Sequence, residues 1–526
     1  MKKLIIIFLL TLYVNGFGAT WYADTAGNNT VGTSWETAFV VWDSIAKYWS
    51  GGDTVFAHGK WEDIQIVPPT GGTFSDRTAL IGGNGVDNSL VVGGATFYGG
   101  KQATGWTNVS GNIYRCSFSQ TSGVDNLLYY YAVQDTTALD MVTAYGDLSE
   151  GKYLNQNDSL YVYLNDIGGT GYNPDSYTIY CSRKQPINFS HVEAHHTTLY
   201  GLECRYGAEH GIKLGESANS DSVFVEHCII RYCGREGANN AAGIATMSNG
   251  SSDTTTYNHW NKIVACTISN IYGGYVDHRA GITSYCQQGL ICDSNYIEGL
   301  GSGIMYKGSP QYVSNYLTRY NTIVDCHKAI GRYGMVKNDS IYGNVIYSSY
   351  PDNAGLWAMY YNGSSGRIWF LNNTIYLSGT INSALELGTD GSSRDAADSI
   401  IAKYNIIYAS NGSYGVIACA GVDTVMLLDS NLYYTNWYFS ECSEPIEATD
   451  WQSDYGFDVH STFNINPGLN EDFEPTNLSA WITPIVYGGR TWYGLGAVQT
   501  LWETPVVDTS GIELKNMKIN GGIIIR

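Results

Sequence analysis

Positive charge is scarce in this chain: 28 Lys and Arg stand against 48 Asp and Glu, a formal net charge of −20. A phosphate backbone repels such a protein, which argues against a nucleic-acid partner. Charged residues of both signs reach only 14%, and Pro numbers 11 with no Gly-X-Y period, so a helical bundle and collagen both drop out. No segment offers about 18 uninterrupted apolar residues, and no membrane span is expected. Dinucleotide fingerprints, P-loops, serine elbows and zinc-helix motifs are missing, which weighs against oxidoreductase, NTPase and serine-hydrolase readings. The 11 cysteines are an odd number that cannot pair completely, and no C-x-x-C pair is matched by a second at zinc spacing, so no cysteine metal site is expected. What is plentiful is Gly (61) and Tyr (43), with Asn, Ser and Thr, in a 526-residue chain that is 44% apolar. That balance describes an all-β protein with many turns.

The start of the chain reads as an address. Met1-Lys2-Lys3 is followed by an apolar run from Leu4 to Val14 and by small residues at Gly16 and Gly18. This is the pattern of a signal peptide over 1–18, and it predicts a secreted protein.

A repeat dominates the rest. One small polar residue precedes an apolar pair in Glu203-Cys204-Arg205, His227-Cys228-Ile229-Ile230, Ala265-Cys266-Thr267-Ile268, Ser294-Asn295-Tyr296-Ile297, Tyr320-Asn321-Thr322-Ile323, Gly343-Asn344-Val345-Ile346, Asn372-Asn373-Thr374-Ile375, Tyr404-Asn405-Ile406-Ile407 and Ser430-Asn431-Leu432-Tyr433. A second segment follows most copies: Gly211-Ile212, Gly243-Ile244, Gly281-Ile282, Gly303-Ile304, Ala329-Ile330, Gly355-Leu356, Ala384-Leu385 and Gly415-Val416. Short units that cannot bury their own face must stack on one another. Stacked as parallel strands about 4.8 Å apart, equivalent residues line up in columns. Asn295, Asn321, Asn344, Asn373, Asn405 and Asn431 would then bond side chain to side chain, with Cys204, Cys228 and Cys266 continuing the column as small buried residues.

This arrangement resembles the right-handed parallel β-helix superfamily of pectate-lyase-like proteins, whose hallmark is such a ladder. The expected fold is a single right-handed parallel β-helix with an N-terminal capping helix. Ser34 through Tyr48 resembles the cap and Gly52 to Phe56 a first strand; Ser159 to Tyr163 looks like part of a β insertion. The expected organisation is a signal peptide over 1–18, cap and irregular first coils with the insertion over 19–195, regular coils over 196–440, last coils and C-terminal cap over 441–504, and a tail over 505–526. Asn464 to Pro467 and Gly494 to Val498 resemble the closing coil.

In that superfamily the substrate groove usually follows one sheet, assigned here to the Gly-Ile segment. With the aliphatic residue buried, the first and third residues after it point outward. Those positions include Lys213, Met305 with Lys307, Gly331 with Tyr333, Trp357 with Met359, and Glu386; Glu209-His210, Asp277-His278-Arg279 and His327-Lys328 lie at the loop edges. Residues 275–337 hold six Lys and Arg against four Asp and Glu, in company with Tyr275, Tyr285, Tyr306 and Tyr333. A basic, aromatic groove suits an anionic sugar chain; the plainer alternative is scattered surface charge. The run Gly303 to Lys307, Asn315, Arg319 to Thr322 and Arg332-Tyr333-Gly334 resembles the Lys…Asn-Thr…Arg-His-Gly run of the alginate lyase and chondroitinase-B-like family. That resemblance implies a polysaccharide lyase that cleaves a uronate-containing polysaccharide by β-elimination. Lys307 would be the base and Arg332 the acid or charge partner, and His278, Arg279, Lys213, Tyr285, Tyr333 and Trp357 would bind substrate. Tyr333 replaces the family's His, and Arg332 stands one place off the outward register. The family's calcium-ligating glutamates are unmatched, with Leu300 and Ser302 in their place and Glu298 nearby, so no metal ligand is assigned. Two other classes fit the scaffold. A glycoside hydrolase would need a carboxylate pair, for which Glu386, Asp390, Asp395, Asp277 and Glu209 are candidates with no pair evident. A non-catalytic adhesin would use the same groove without a base. His195 and His196, adjacent on the chain, read as turn or core histidines rather than metal ligands. The expected partner is a polysaccharide and the expected state a monomer.

Overall fold

The computed structural model describes residues 18–118 and 132–463, apart from 136, 157, 191, 194, 217, 236–239, 249–257, 274–277, 309–312, 334–335, 350–355, 363–366, 379–380, 388–398, 410–411, 419–425, 436–438 and 442–443. Beyond 463 it describes 466–467 and four short strand pieces. The leader, Asp277, Asp390, Asp395, Gly494 to Val498 and most of the tail therefore lie outside the described residues. Contacts divide the chain into two compact units, Met1–Lys262 with Cys266–Thr283, and Ile263–Ala265 with Ser284–Arg526.

In the second unit every coil contributes three short strands, and each strand pairs in parallel with its counterpart in the next coil. One sheet runs through Ile291–Asp293, Leu317–Arg319, Asp339–Tyr342, Arg367–Leu371, Ser399–Lys403 and Met426–Asp429. A second runs through Tyr296–Glu298, Thr322–Val324, Val345–Ser348, Thr374–Leu377, Ile406–Ala409 and Leu432–Thr435. The third contains Ser302–Lys307, Lys328–Tyr333, Leu356–Asn362, Ile381–Leu387, Gly412–Ala418 and Phe439–Glu441. Unregistered slip is prevented by columns of identical chemistry: Ile297, Ile323, Ile346, Ile375 and Ile407 sit opposite one another and are buried. Outside, Tyr347, Tyr376, Tyr408 and Tyr434 stack ring on ring at 5.4, 4.5 and 5.0 Å.

The turn between the first and second sheets carries the asparagine ladder. The residue before each Asn takes a left-handed conformation, with φ of 58° at Ser294, 55° at Tyr320, 54° at Asn372, 61° at Tyr404 and 57° at Ser430. Non-glycine residues resist this region, and the ladder offsets that cost. Each Asn gives its side-chain N–H to the Oδ1 of the next at 2.9–3.1 Å, from Asn295 through Asn321, Asn344, Asn373 and Asn405 to Asn431. The same Oδ1 accepts the backbone N–H of the preceding Asn at 2.9–3.0 Å. All six side chains are buried. The last rung ends on Asp458, which accepts from Asn431 Nδ2, Tyr433 Oη, Trp451 Nε1 and Ser461 Oγ. Trp451 comes from a helix, Ala448–Tyr455, that the sequence reading did not anticipate.

The first unit repeats the plan less regularly. Thr20–Asp24, Thr54–Trp61, Thr78–Gly82, Thr197–Tyr200 and Phe224–Glu226 form one parallel ladder. Ala95–Tyr98, Leu202–Arg205, Ile229–Arg235 and Thr267–Gly273 form a second, and Ile187–Asn188, His210–Leu214 and Ala242–Thr246 a third. Between these lies an antiparallel insertion built from Thr107–Ser110, Ile113–Ser117, Lys152–Gln156 and Ser159–Tyr163, as expected of Ser159 to Tyr163. Three expectations need correction. The capping helix spans only Trp42–Ala46, preceded by turns over 33–37, although Trp42 does plug the end by packing edge-on against Trp49, Trp61 and Phe97. The first strand is Thr20–Asp24, ahead of the one expected at 52–56. Cys228 and Cys266 do share a column, but Cys204 faces Ile230, two places further on, and Leu202 holds the position beside Cys228. The nine described cysteines are all buried, and burial raises the Cys233 thiol to about 12, so these are small core residues.

Two predictions follow from the ladder. Asn344→Ala removes one rung and leaves the N–H groups of Asn321 buried without their acceptor, so it should destabilise the protein by roughly 3 kcal/mol. Equilibrium urea unfolding checks this, and a loss no greater than that of an exposed Asn→Ala change would show that the ladder adds little. Burial raises the Asp458 carboxyl above its ordinary value, against hydrogen bonds that lower it. A raised folded-state pKa means the native state holds the proton more tightly than the unfolded chain. Stability should therefore be highest below the unfolded carboxylate value and fall as pH rises through the folded one. Asp458→Asn should flatten that dependence in pH-resolved thermal melts.

Candidate functional site

The third sheet of the second unit places most of the predicted residues. In Ser302–Lys307 and Lys328–Tyr333 the register pairs Ile304 with Ile330, Tyr306 with Arg332 and Lys307 with Tyr333. Because neighbours on a strand point to opposite faces, the isoleucines fix Tyr306 and Arg332 inside and Lys307 and Tyr333 outside. The burial agrees: Tyr306 and Arg332 are fully buried, while Lys307 and Tyr333 are half-buried.

Lys307 Nζ lies 5.2 Å from the centre of the Tyr285 ring and 5.9 Å from that of Tyr333. Both distances are within cation–π reach. Burial among these groups removes water from the ammonium and lowers its pKa from the ordinary 10.5 to about 8. Lys328 completes the group. Its Nζ donates to Tyr333 Oη at 3.2 Å and stands 5.7 Å from the same ring. Two lysines thus approach one tyrosine, and a second ring, Tyr285, closes the other side of Lys307. Such a surface can hold an anion at the Lys307 ammonium and a sugar face by its rings, with Lys328, only 6% exposed, lying beneath Tyr333, and its one half-buried amine is neutral in an appreciable fraction near pH 8.

Arg332 is placed elsewhere than the groove role requires. It lies inside the coil in an ion pair with Asp339, itself fully buried. Its guanidinium stands 5.5 Å from the Tyr306 ring, which stacks on Tyr316 at 4.4 Å. Tyr306 Oη meets Thr318 Oγ1 at 2.5 Å, and Tyr316 Oη meets Ser284 Oγ at 3.2 Å. Arg332 is a member of this interior polar cluster, as its off-register position implied, and in this conformation it does not face a substrate on the outer surface.

Trp357 also moves. The register sets it opposite Lys328 and Ser383, while Met359 aligns with Ile330 and Leu385. The column of Lys307 and Tyr333 is continued by Asn362, and that of Met305 and Gly331 by Tyr360 and Glu386. The Gly-Leu repeat pattern puts Leu356 in the aliphatic column, whereas the backbone register gives that place to Met359. The side chains of Leu356–Asn362 lie outside what is described. Glu386 is half-buried.

His278, Arg279 and Lys213 belong to the first unit. His278 Nδ1 is 3.3 Å from Asn240 Oδ1, and Arg279 is half-buried beside it in sequence. Lys213 is buried and bound between Glu209 and Glu216. His195 and His259 approach one carboxylate, Asp221, at 3.5 and 3.1 Å. Among the described residues no group of three or more His, Cys, Asp and Glu is placed to hold a metal ion. The residue that sequence reasoning passed over is Lys328, noted at a loop edge but given no role. Its signal was present, since it opens the strand that ends in Tyr333.

No family model matches the chain, and no curated protein matches it. Among solved structures, that of XylC in complex with xylose aligns with a TM-score of 0.58 at 12% identity, covering 90% of this chain and 89% of that one. Pectate lyase Pel9A aligns at 0.48 and 12% identity, covering 93% and 99%. PfbA, a surface adhesin of Streptococcus pneumoniae, aligns at 0.41 and 10%, covering 86% and 94%. Likeness at such identities speaks for architecture alone. With the three parallel ladders and the asparagine column, the likeness to the XylC structure makes this chain a right-handed parallel β-helix.

Proposed function

We propose that the protein is a secreted carbohydrate-active enzyme, a lyase that cleaves a uronate-containing polysaccharide by β-elimination at Lys307. The observation that carries this reading is the half-buried Lys307 between Tyr285 and Tyr333, with its pKa lowered to about 8. A neutral amine removes the proton beside the uronate carboxylate, the bond to the departing sugar oxygen breaks, and a carbon–carbon double bond forms as that oxygen takes up a proton. A base is most effective when its pKa is near the working pH, which an ordinary lysine does not meet. Lys328, buried beneath Tyr333, adds positive charge through the hydroxyl it donates to, and Tyr333 presents the ring and that hydroxyl to the substrate. With Arg332 bound to Asp339 inside the coil, the charge-partner role proposed for it passes to Lys328. That XylC was solved with xylose is in keeping with a sugar ligand. Among the described residues no helix is long and apolar enough to cross a membrane.

The test is incubation with alginate, pectate, chondroitin and neutral glycans, following the ultraviolet absorbance of unsaturated uronate and new reducing ends together. Lys307→Ala should remove the absorbance signal by about 100-fold or more while substrate affinity persists. Reducing ends without absorbance would replace the lyase by a hydrolase, and binding without either would leave an adhesin. For the wild type, kcat/KM should rise with pH and level off above about 8, because only the deprotonated Lys307 acts. A flat profile across that range would remove Lys307 as the base.

A further inference from the structure

The first unit holds a second cluster that the lyase reading leaves unused. Its centre is Lys213 on the strand His210–Leu214, only 4% exposed. Lys213 Nζ lies 3.9 Å from Glu209 Oε2 and 2.8 Å from Glu216 Oε2. Those two contacts limit the separation of the two carboxylate oxygens to about 6.7 Å at most, which leaves open the roughly 5–5.5 Å of retaining pairs and closes off most of the wider inverting range. The pair is asymmetric. The Glu209 side chain is 19% exposed and that of Glu216 49% exposed, so one carboxylate is recessed and the other meets solvent.

Besides Lys213, two neighbours adjoin the recessed one. Gln185 Nε2 donates to Glu209 Oε2 at 3.3 Å. His210 is fully buried and accepts the Ala242 backbone N–H at Nδ1, 3.2 Å away. Its neutral form therefore carries hydrogen on Nε2, which faces Glu209 Oε2 at 3.7 Å. The second observation is Gln185 itself. It is 1% exposed, yet its Oε1 has no hydrogen-bond partner. A buried amide oxygen without a donor costs about 1–3 kcal/mol. Its own amide nitrogen is on Glu209, so the vacant acceptor sits at the edge of the carboxylate pair. A sugar hydroxyl, which donates and accepts at one atom, satisfies both it and a carboxylate oxygen.

We propose that Glu209 and Glu216 form a glycoside-hydrolysing pair for a neutral sugar, with Lys213 setting their spacing and Gln185 accepting from a sugar hydroxyl. One carboxylic acid gives its proton to the glycosidic oxygen as the bond from that oxygen to the anomeric carbon breaks. The other, ionised, attacks the anomeric carbon, and water then displaces it while returning a proton to the first. One water is consumed, and each fragment leaves with a hydroxyl. The cap of about 6.7 Å excludes most of the wider, inverting range of about 6.5–9.5 Å and favours this retaining course. The proposal does not depend on Lys307.

The experiment offers the full-length protein aryl glycosides of neutral hexoses and pentoses, together with neutral polysaccharides, and reads aryl release and reducing ends. Glu209→Gln and Glu216→Gln should each lower hydrolysis by about 100-fold or more, with Glu36→Gln, an exposed carboxylate elsewhere, leaving it unchanged. Circular dichroism establishes that the variants are folded. Independently of any variant, a 2-deoxy-2-fluoro glycoside of the hydrolysed sugar should label the wild-type protein on Glu209 or Glu216, located by peptide mass spectrometry. No hydrolysis of any of these substrates by the wild type, hydrolysis that survives both Gln changes, or a label on another residue would each overturn the proposal.

Discussion

Parallel, in-register stacking at about 4.8 Å per coil is the constraint from which the rest of this protein follows. It turns each position of the repeat into a column, so a residue that is tolerable once must be tolerable beside its own copies. Asparagine meets that condition because one amide both donates and accepts; isoleucine meets it by packing on itself. The left-handed residues ahead of the ladder exist because six buried rungs hold them there.

The same constraint divides the chemistry of the third sheet. Adjacent residues on a strand have opposite fates, so Arg332 and Tyr333 are separated by the backbone despite being neighbours in sequence. Arg332 enters an interior where charge is costly, and Asp339 accompanies it in a cluster of Tyr306, Tyr316, Thr318 and Ser284. Replacing such a pair by apolar residues is often neutral, whereas removing one member leaves a buried charge. Lys307 stays outside but loses part of its water to two rings, and partial burial alone turns an ordinary surface cation into a candidate base.

Much of this was legible in the residues, and the failures have physical causes. The ladder from Asn295 to Asn431 was readable because one residue type recurs with one apolar partner after it. Cys204 misled because a cysteine is equally at home in the ladder column and in the aliphatic one, and Leu202 carries no ladder signal. Leu356 misled in the same way: Gly-Leu matches the repeat, but Met359 holds the buried register. The reversal of Arg332 could be read from parity alone, since it stands two residues after Ile330. The pair of Glu209 and Glu216 was hidden because nothing in sequence spacing places two residues seven apart around one lysine. It takes the strand His210–Leu214 and the turn after it to bring both to Lys213.

The ladder also has a direction. Every side-chain amide from Asn295 onward turns its N–H toward the later coil and its oxygen toward the earlier one. The backbone fixes this sense at each rung, because Oδ1 accepts the backbone N–H of the preceding Asn while Nδ2 also donates to a backbone carbonyl of an earlier coil. Asp458 suits that sense, since its Oδ1 accepts the hydrogen that Asn431 presents toward the end of the stack. The carboxylate thus closes the stack in the sense that the backbone of every coil already sets. The column behaves as a polar wire with its positive end resting on an anion, much as a helix N-terminus does.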